Sequence, residues 1–323
     1  MQPDTPRAAR HPRRPARRTL VALLAASLGC EPTDTAVPTQ PTGPSSPAPT
    51  AWVTPAVSTP GVVYRIFQSP AARTAVSFHA YLPAQYDAEP TRRFPVLYWL
   101  HGTGGGGAGG IVPLAAHFDA AIRSGRIPPM LVVFANGMTS SMWADSKDGR
   151  IPMETVLARD LVMEVDARFR TVATRNARIL EGFSMGGHGA ARIGLRYADL
   201  FGAVSMLAAG PLDLDFDGPR ARANPEERAK ILREVYGDDL AYYRTQSPLT
   251  VAELFARTSA PRPRMRIVVG DADNTAPGSV AFSAMLRTLG ITHELQLLPG
   301  VGHDPMGLFA ALGDRGWDFY RSQ

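Results

Sequence analysis

A glycine-spaced serine, Gly182-Phe183-Ser184-Met185-Gly186-Gly187, lies between a short apolar run at residues 177–180 and a segment of helical spacing at 187–197. Few architectures accommodate it. At a strand-to-helix junction, G-x-S-x-G makes a strained turn that lifts the serine hydroxyl above a sheet end, and only bare glycines let the two backbones pass so closely. The pattern alone is common, and a plain structural turn is the competing reading. Its position amid alternating strands and helices gives it weight.

That alternation begins at Gly61, where short apolar runs and helical segments follow one another as in βα units around a mostly parallel sheet. Residues 62–68 and 74–82 read as an initial antiparallel pair, with turn chemistry at Ser69-Pro70. Residues 94–100 and 130–135 are near-continuous apolar strands, as expected when both sheet faces are covered. Between them, 113–124 reads as a helix with an early proline. Residues 155–169 form an amphipathic helix packed on the sheet, and 203–207 another strand. The rhythm then breaks over 211–263, which holds short helices at 226–236, 239–243 and 250–257 before a strand at 265–269. Such an insertion at the carboxyl edge of a sheet either shapes a cleft or simply covers an exposed edge. A helix at 279–289, a strand at 293–298 and a helix from 305 to 320 complete an α/β fold with helices on both faces.

A serine hydroxyl attacks only when a base takes its proton, so a histidine is needed further along the chain. Seven are present. His11 lies in the arginine-rich start, His79 in an early strand, His117 inside a helix and His293 at a strand start. His101 precedes a glycine run, and His188 sits on the helix leaving the elbow, pointed away from it. His303, in Leu298-Pro299-Gly300-Val301-Gly302-His303-Asp304, follows the last strand on a loop from which an imidazole reaches the sheet edge. The acid that orients it belongs to Gly270-Asp271-Ala272-Asp273-Asn274, at the right point in the order serine, acid, histidine. Asp273, deeper in the loop, is the first choice; Asp271, nearer the strand end, is the second and is suited to tying down the turn. Asp304 is expected to cap the next helix.

Attack creates a tetrahedral oxyanion that needs preformed donors. The helix start at Met185 supplies one N–H. The other is expected from the loop after strand 94–100, His101-Gly102-Thr103-Gly104-Gly105-Gly106-Gly107, with the Thr103 amide as donor and Gly102 or Gly104 beside it. A phosphate cradle would require the lysine of G-x-x-x-x-G-K-[ST], which the run lacks. Trp143, after Asn136-Gly137, is either a flat wall for a sugar or aromatic ester or a packed loop residue. No H-E-x-x-H or clustered Cys/His spacing calls for a metal, and no cofactor is expected.

Residues 61–323 resemble the esterase D, or feruloyl esterase-like, group of the α/β-hydrolase superfamily. The likeness runs through Phe94-Pro95-Val96-Leu97-Tyr98-Trp99-Leu100-His101-Gly102, Asn136-Gly137, the elbow, Leu200-Phe201-Gly202-Ala203-Val204, Gln246-Ser247-Pro248 and Gly300 to Asp304. It implies an α/β-hydrolase fold and a Ser184, His303, Asp273 triad, agreeing with the assignment by order. The long glycine run and Asp304-Pro305-Met306, where many members carry an aromatic residue, are departures from the group.

The amino terminus reads as an address. Residues 7–18 are arginine-rich, 19–29 (TLVALLAASLG) are apolar or small, and Cys30 follows at once, the layout of an export signal. The apolar run is too short for a spanning helix, which needs roughly 20 residues. Ser27-Leu28-Gly29-Cys30 resembles a bacterial lipobox, although Leu28 stands where a small residue is usual and Ser27 where leucine is. Lipidation at Cys30 is the first reading and ordinary cleavage the second; Arg17-Arg18 could mark a twin-arginine route. Residues 30–60, rich in Pro, Thr and Ser, read as a solvated tether to the folded body.

Charge narrows the partners. The chain carries a formal +5, with 34 Lys+Arg against 29 Asp+Glu, but six of those arginines and one acid precede Cys30, leaving 28 of each beyond it. The neutral body speaks against nucleic acid. The expectation is an exported serine esterase acting on small-molecule or polysaccharide-linked esters, feruloyl or acetyl among them, tethered to a membrane by lipid at Cys30. An acyltransferase of the same fold and a non-catalytic surface-binding lipoprotein are the alternatives.

Overall fold

Among the described residues, eight strands form one sheet: β1 (Val62–Ser69), β2 (Thr74–Tyr81), β3 (Val96–Leu100), β4 (Leu131–Ala135), β5 (Arg178–Phe183), β6 (Ala203–Leu207), β7 (Arg264–Gly270) and β8 (Glu294–Leu298), in the order β1-β2-β4-β3-β5-β6-β7-β8. The computed structural model describes residues 52–210, 212 and 225–321. The export segment, Cys30, most of the tether and the start of the insertion lie outside the described residues.

β1 pairs antiparallel with β2, and β2 with β4; every pairing from β4 through β3, β5, β6 and β7 to β8 is parallel. The sequence dictates this split. β3 (VLYWL) and β4 (LVVFA) are buried at every position, so both faces must be covered, and parallel strands joined by crossover helices provide that cover. All the loops leaving β3, β4, β5, β7 and β8 therefore emerge on one edge. Candidate chemistry gathers there.

Eleven α-helices accompany the sheet among the described residues: α1 (Gln85–Ala88), α2 (Ala108–Arg123), α3 (Met153–Thr155), α4 (Val162–Arg168), α5 (Met185–Arg196), α6 (Pro225–Tyr236), α7 (Leu240–Gln246), α8 (Pro248–Ala256), α9 (Ala276–Thr288), α10 (Pro305–Leu312) and α11 (Asp318–Arg321). Apolar side chains of α2 and α10 pack on one sheet face, with Phe118, Leu308 and Trp317. Those of α4, α5, α8 and α9 fill the other, with Val165, Ile193, Val251 and Phe282. No helix among the described residues is long and apolar enough to cross a membrane.

Four local readings need correction. α2 starts five residues before Pro113: a proline in the second turn removes only one internal N–H, and the Gly110 and Ile111 amides both close onto the Gly107 carbonyl. The helix expected at 155–169 begins at Met153 and widens over Val156–Leu161, where buried Asp160 accepts Ser69 Oγ at 2.6 Å and the Ala71 N–H at 2.8 Å. The helix expected from 305 to 320 is not one continuous α-helix: Gly313 (φ 54, ψ −146) ends α10, and a 3-10 stretch, Gly313–Trp317, leads into α11. Finally, the tether reading overreaches at its carboxyl end. Trp52 is buried, its carbonyl accepts the Ser77 N–H at 2.9 Å, and Val57 N–H donates to His79 Nε2 at 3.0 Å, so 52–57 is already packed against β2.

Candidate active site

The elbow is as tight as the glycine spacing requires. Ser184 has φ 57 and ψ −119, a conformation that costs a non-glycine residue on the order of 1–3 kcal/mol. A Cβ on Gly182 would stand 2.2 Å from the Gly186 carbonyl oxygen, and one on Gly186 would stand 1.9 Å from that of Leu100. No side chain fits either space. The strained serine is held by its own backbone: its N–H donates to Leu207 O at 3.0 Å, and its carbonyl accepts from His188 at 3.0 Å and Gly210 at 3.2 Å.

Three predicted residues meet at this point. His303, on the loop between β8 and α10, places Nε2 2.9 Å from Ser184 Oγ, and Nδ1 2.7 Å from Asp273 Oδ2. With Nδ1–H donating to the carboxylate, the Nε2 lone pair faces the serine hydroxyl, the arrangement a general base needs. Asp273 is fully enclosed. Its other oxygen accepts the Thr275 N–H at 2.7 Å and Thr275 Oγ1–H at 2.9 Å. Burial alone would raise its pKa, but the hydrogen bonds from His303 and both Thr275 groups outweigh it and hold the carboxyl below the usual aspartate value.

The second aspartate does different work. Asp271 Oδ1 accepts the Gly300 N–H at 2.7 Å, fastening the start of the His303 loop, and is not bonded to the imidazole. Asp304 caps α10, accepting from Met306 and Gly307 at 3.0 Å each. The Phe183 ring lies against His303 with centroids 4.6 Å apart.

The two elements expected to supply oxyanion donors both lie beside the nucleophile. Met185 is the first residue of α5, so its N–H has no intrahelical acceptor. Across from it, a Cβ on Gly102 would come within 3.1 Å of Ser184 Cβ, which sets the loop after β3 directly beside the nucleophile. In that loop the Gly104 N–H donates to Thr139 O at 2.9 Å and the Gly105 N–H to Gly102 O at 3.0 Å. Thr103 is exposed between them.

Trp143 is corrected as a substrate wall. It is wholly buried, its indole N–H donates to His101 O at 3.1 Å, and its ring fills the space beside Gly137. An exposed face for a sugar or aromatic ring does not exist there, because the loop 138–143 folds inward through left-handed Met138, Met142 and Trp143. Sequence reasoning gave no role to Thr275 or to Phe183, the variable position of the elbow motif, and none to His101 beyond its place at the head of the glycine loop. Among the described residues, no group of three or more His, Cys, Asp or Glu side chains is disposed to hold a metal ion.

A serine at the elbow of an α/β-hydrolase sheet, with an imidazole and carboxylate in line, is the arrangement on which serine hydrolases are built. The sequence profile of the family described as "Putative esterase" matches residues 69–277, and the chain belongs to that family. It is 33% identical over 148 residues to an endo-1,4-beta-xylanase/feruloyl esterase of Xylanibacter ruminicola, covering 41% of this chain and 19% of that protein. It is 28% identical over 270 residues to an esterase of Mycobacterium tuberculosis, covering 76% and 56%. The chain thus spans about half or less of these curated relatives. Among solved structures it shares its fold with a ferulic acid esterase (TM-score 0.63, 20% identity, 81% of this chain and 98% of that one). It shares it equally with an S-formylglutathione hydrolase from Staphylococcus aureus (TM-score 0.62, 16% identity, 80% and 98%). A ferulic acid esterase from Anaeromyces mucronatus in complex with ferulic acid aligns with TM-score 0.60 and 19% identity over 84% and 94%.

Proposed function

We propose that this protein hydrolyses carboxylic esters through an acyl-enzyme on Ser184. The continuous hydrogen-bonded line Asp273–His303–Ser184 carries the reading. As Ser184 Oγ attacks the carbonyl, His303 Nε2 takes its proton and Asp273 stabilises the imidazolium. The oxyanion is met by the Met185 and Thr103 N–H groups, a donor of this kind contributing about 3–4 kcal/mol. On collapse, His303 returns the proton to the departing alcohol oxygen. Water then enters, gives its proton to His303 and attacks the acyl carbon, and the acid leaves as Ser184 is reprotonated.

Feruloyl or acetyl esters on plant polysaccharide are the substrate class. The names of the Xylanibacter relative and of the ferulic acid-bound fungal structure support this choice. The export layout of residues 1–29 supports a site of action outside the cytoplasm, with Cys30 as lipid anchor and the chain that follows it as tether.

The full chain, assayed on short aryl acetates and on feruloyl sugar esters beside Ser184→Ala, tests the reading. Turnover that falls by on the order of 10⁶-fold in the variant is expected. Activity surviving the substitution would remove Ser184 from the mechanism, and turnover of aryl acetates with release of neither ferulate nor acetate from polysaccharide would remove the substrate class. Radiolabelled lipid incorporation, absent in Cys30→Ala, is expected for the anchor.

A further inference from the structure

His101 is gripped on every side. Its Nδ1–H donates to the Gly102 carbonyl at 2.8 Å, and its Nε2 accepts the Gly137 N–H at 3.0 Å. The glycine run wraps the ring so closely that a Cβ on Gly106 would sit 2.8 Å from Cδ2 and Nε2. The indole of Trp143 meets the imidazole edge-on, with centroids 5.2 Å apart and planes at 64°, and donates to the His101 carbonyl.

Trp143 in turn reaches the nucleophile helix. A Cβ on Gly189 of α5 would stand 2.7 Å from Trp143 Cβ, and buried Arg192, one turn further, donates to the Trp143 carbonyl. The two oxyanion donors ride on these same two elements: Thr103 on the loop that wraps His101, Met185 at the start of the helix that Trp143 braces.

We propose that His101 and Trp143 are positioning residues that hold the Thr103 and Met185 amides in register for a single oxyanion. The proposal rests on the ester-hydrolysis reading above. Two donors on separate elements serve one oxygen only if their separation is fixed to within about 0.5 Å. The loop cannot supply that by itself. It is almost all glycine, each ordered residue costs about 1–2 kcal/mol of backbone entropy, and a Cβ on Gly104 or Gly107 would meet nothing within 4 Å. The His101 ring is the wedge that the loop closes on, and Trp143 bolts that wedge to α5.

The grip depends on protonation. A charged imidazole has hydrogen on both nitrogens and cannot accept the Gly137 N–H. Burial lowers the His101 pKa below the ordinary histidine value, and the Gly102 carbonyl offsets this only in part. The groups facing the ring are Gly102 and Gly106 from its own loop, and Gly137 and Trp143 from the loop after β4. None carries charge.

Steady-state kinetics on an aryl acetate across pH, with thermal unfolding as a check of folding, test this for His101→Gln, His101→Ala and Trp143→Phe. Gln offers an amide oxygen to the Gly137 N–H and does not ionise. Expected are a kcat about 10²-fold lower in His101→Ala with KM nearly unchanged, recovery to within about tenfold in His101→Gln, and about a tenfold fall in Trp143→Phe. In acid, log kcat of the wild type should show an added proton-dependent loss, as His101 takes up a proton below the ordinary histidine range, and His101→Gln should lack it. Folded variants with wild-type kcat, or an acid limb identical in wild type and His101→Gln, would overturn the proposal. If His101→Ala does not fold, the other two decide it. Wild-type protein inert to esters and to an aryl fluorophosphonate would instead remove the hydrolase reading, and this proposal with it.

Discussion

Asp271 and Asp273, two residues apart on one turn, grip the same loop three residues apart. The first accepts the Gly300 N–H at 2.7 Å and the second the His303 Nδ1–H at 2.7 Å. One anchors the backbone and the other orients the ring. Asp273→Asn should therefore cost about 10³–10⁴-fold in kcat, because an amide cannot stabilise the imidazolium and favours the wrong tautomer. Asp271→Ala should cost about tenfold, through a displaced loop. Comparing kcat/KM of the two variants on one ester checks the division, and a greater loss in Asp271→Ala would reverse it.

The glycines fall into two kinds with opposite expectations. Gly186→Ala drives a methyl to 1.9 Å from the Leu100 carbonyl oxygen, an atom of the central sheet that cannot retreat. The protein should lose several kcal/mol or fail to fold. Gly109 and Gly110, in the first turn of α2, face open space. Alanine there should raise stability by about 0.4–1 kcal/mol each, by narrowing the unfolded ensemble. Denaturant melts of the three variants separate the cases.

Beneath the sheet, Arg266 (1% exposed) donates to Glu181 Oε2 (0% exposed) at 2.8 Å, to Ser205 Oγ at 2.8 Å, to Tyr320 Oη at 2.7 Å and to Gly316 O at 3.0 Å. Glu181→Ala strands the guanidinium in an apolar layer and should destabilise by about 3–5 kcal/mol. Glu181→Leu with Arg266→Met removes both charges and should recover most of that. Chemical denaturation of the single and double variants reads the coupling, and a double variant no better than the single would refute it.

His117 is stacked between Phe309 and Trp317, each centroid 4.6 Å away, and burial lowers its pKa to about 4. The folded value lies below the unfolded one, so the unfolded chain takes up the proton first as pH falls. The contribution to stability is intact above about pH 6.5, erodes between there and pH 4, and is constant below. His117→Phe should flatten the unfolding midpoint across that window. An unchanged pH profile would show that the stack does not govern it.

How far these features could be read in advance follows from the range of the forces involved. The succession of βα units was legible because β3 and β4 are apolar at every position and β5 runs straight into a glycine-spaced serine. The elbow was legible because Gly182 and Gly186 flank the serine in one short motif, although the contact that forbids a side chain at Gly186 comes from Leu100, far back in the chain. Trp143 was not: whether a loop tryptophan faces solvent or fills the hollows at Gly137 and Gly189 is decided by segments far apart in sequence. His101 was set aside for the same reason, since its partner Gly137 lies 36 residues on. The packed run 52–57 looked solvated because its stability comes from Ser77 and His79 of β2, not from its own composition.

Ser184 is fastened through its backbone at both ends, to Leu207 by its N–H and to His188 and Gly210 by its carbonyl. None of these three bonds involves Oγ, the atom on which the proposed acyl group would be carried. The loaded and the empty serine thus share one mould, and passing from the first half of the cycle to the second asks only for rotation about the side chain's own single bond. The strain at this residue is not released and rewound with each turnover; it is a standing cost met once, when the chain folds, so successive substrates meet the same cast.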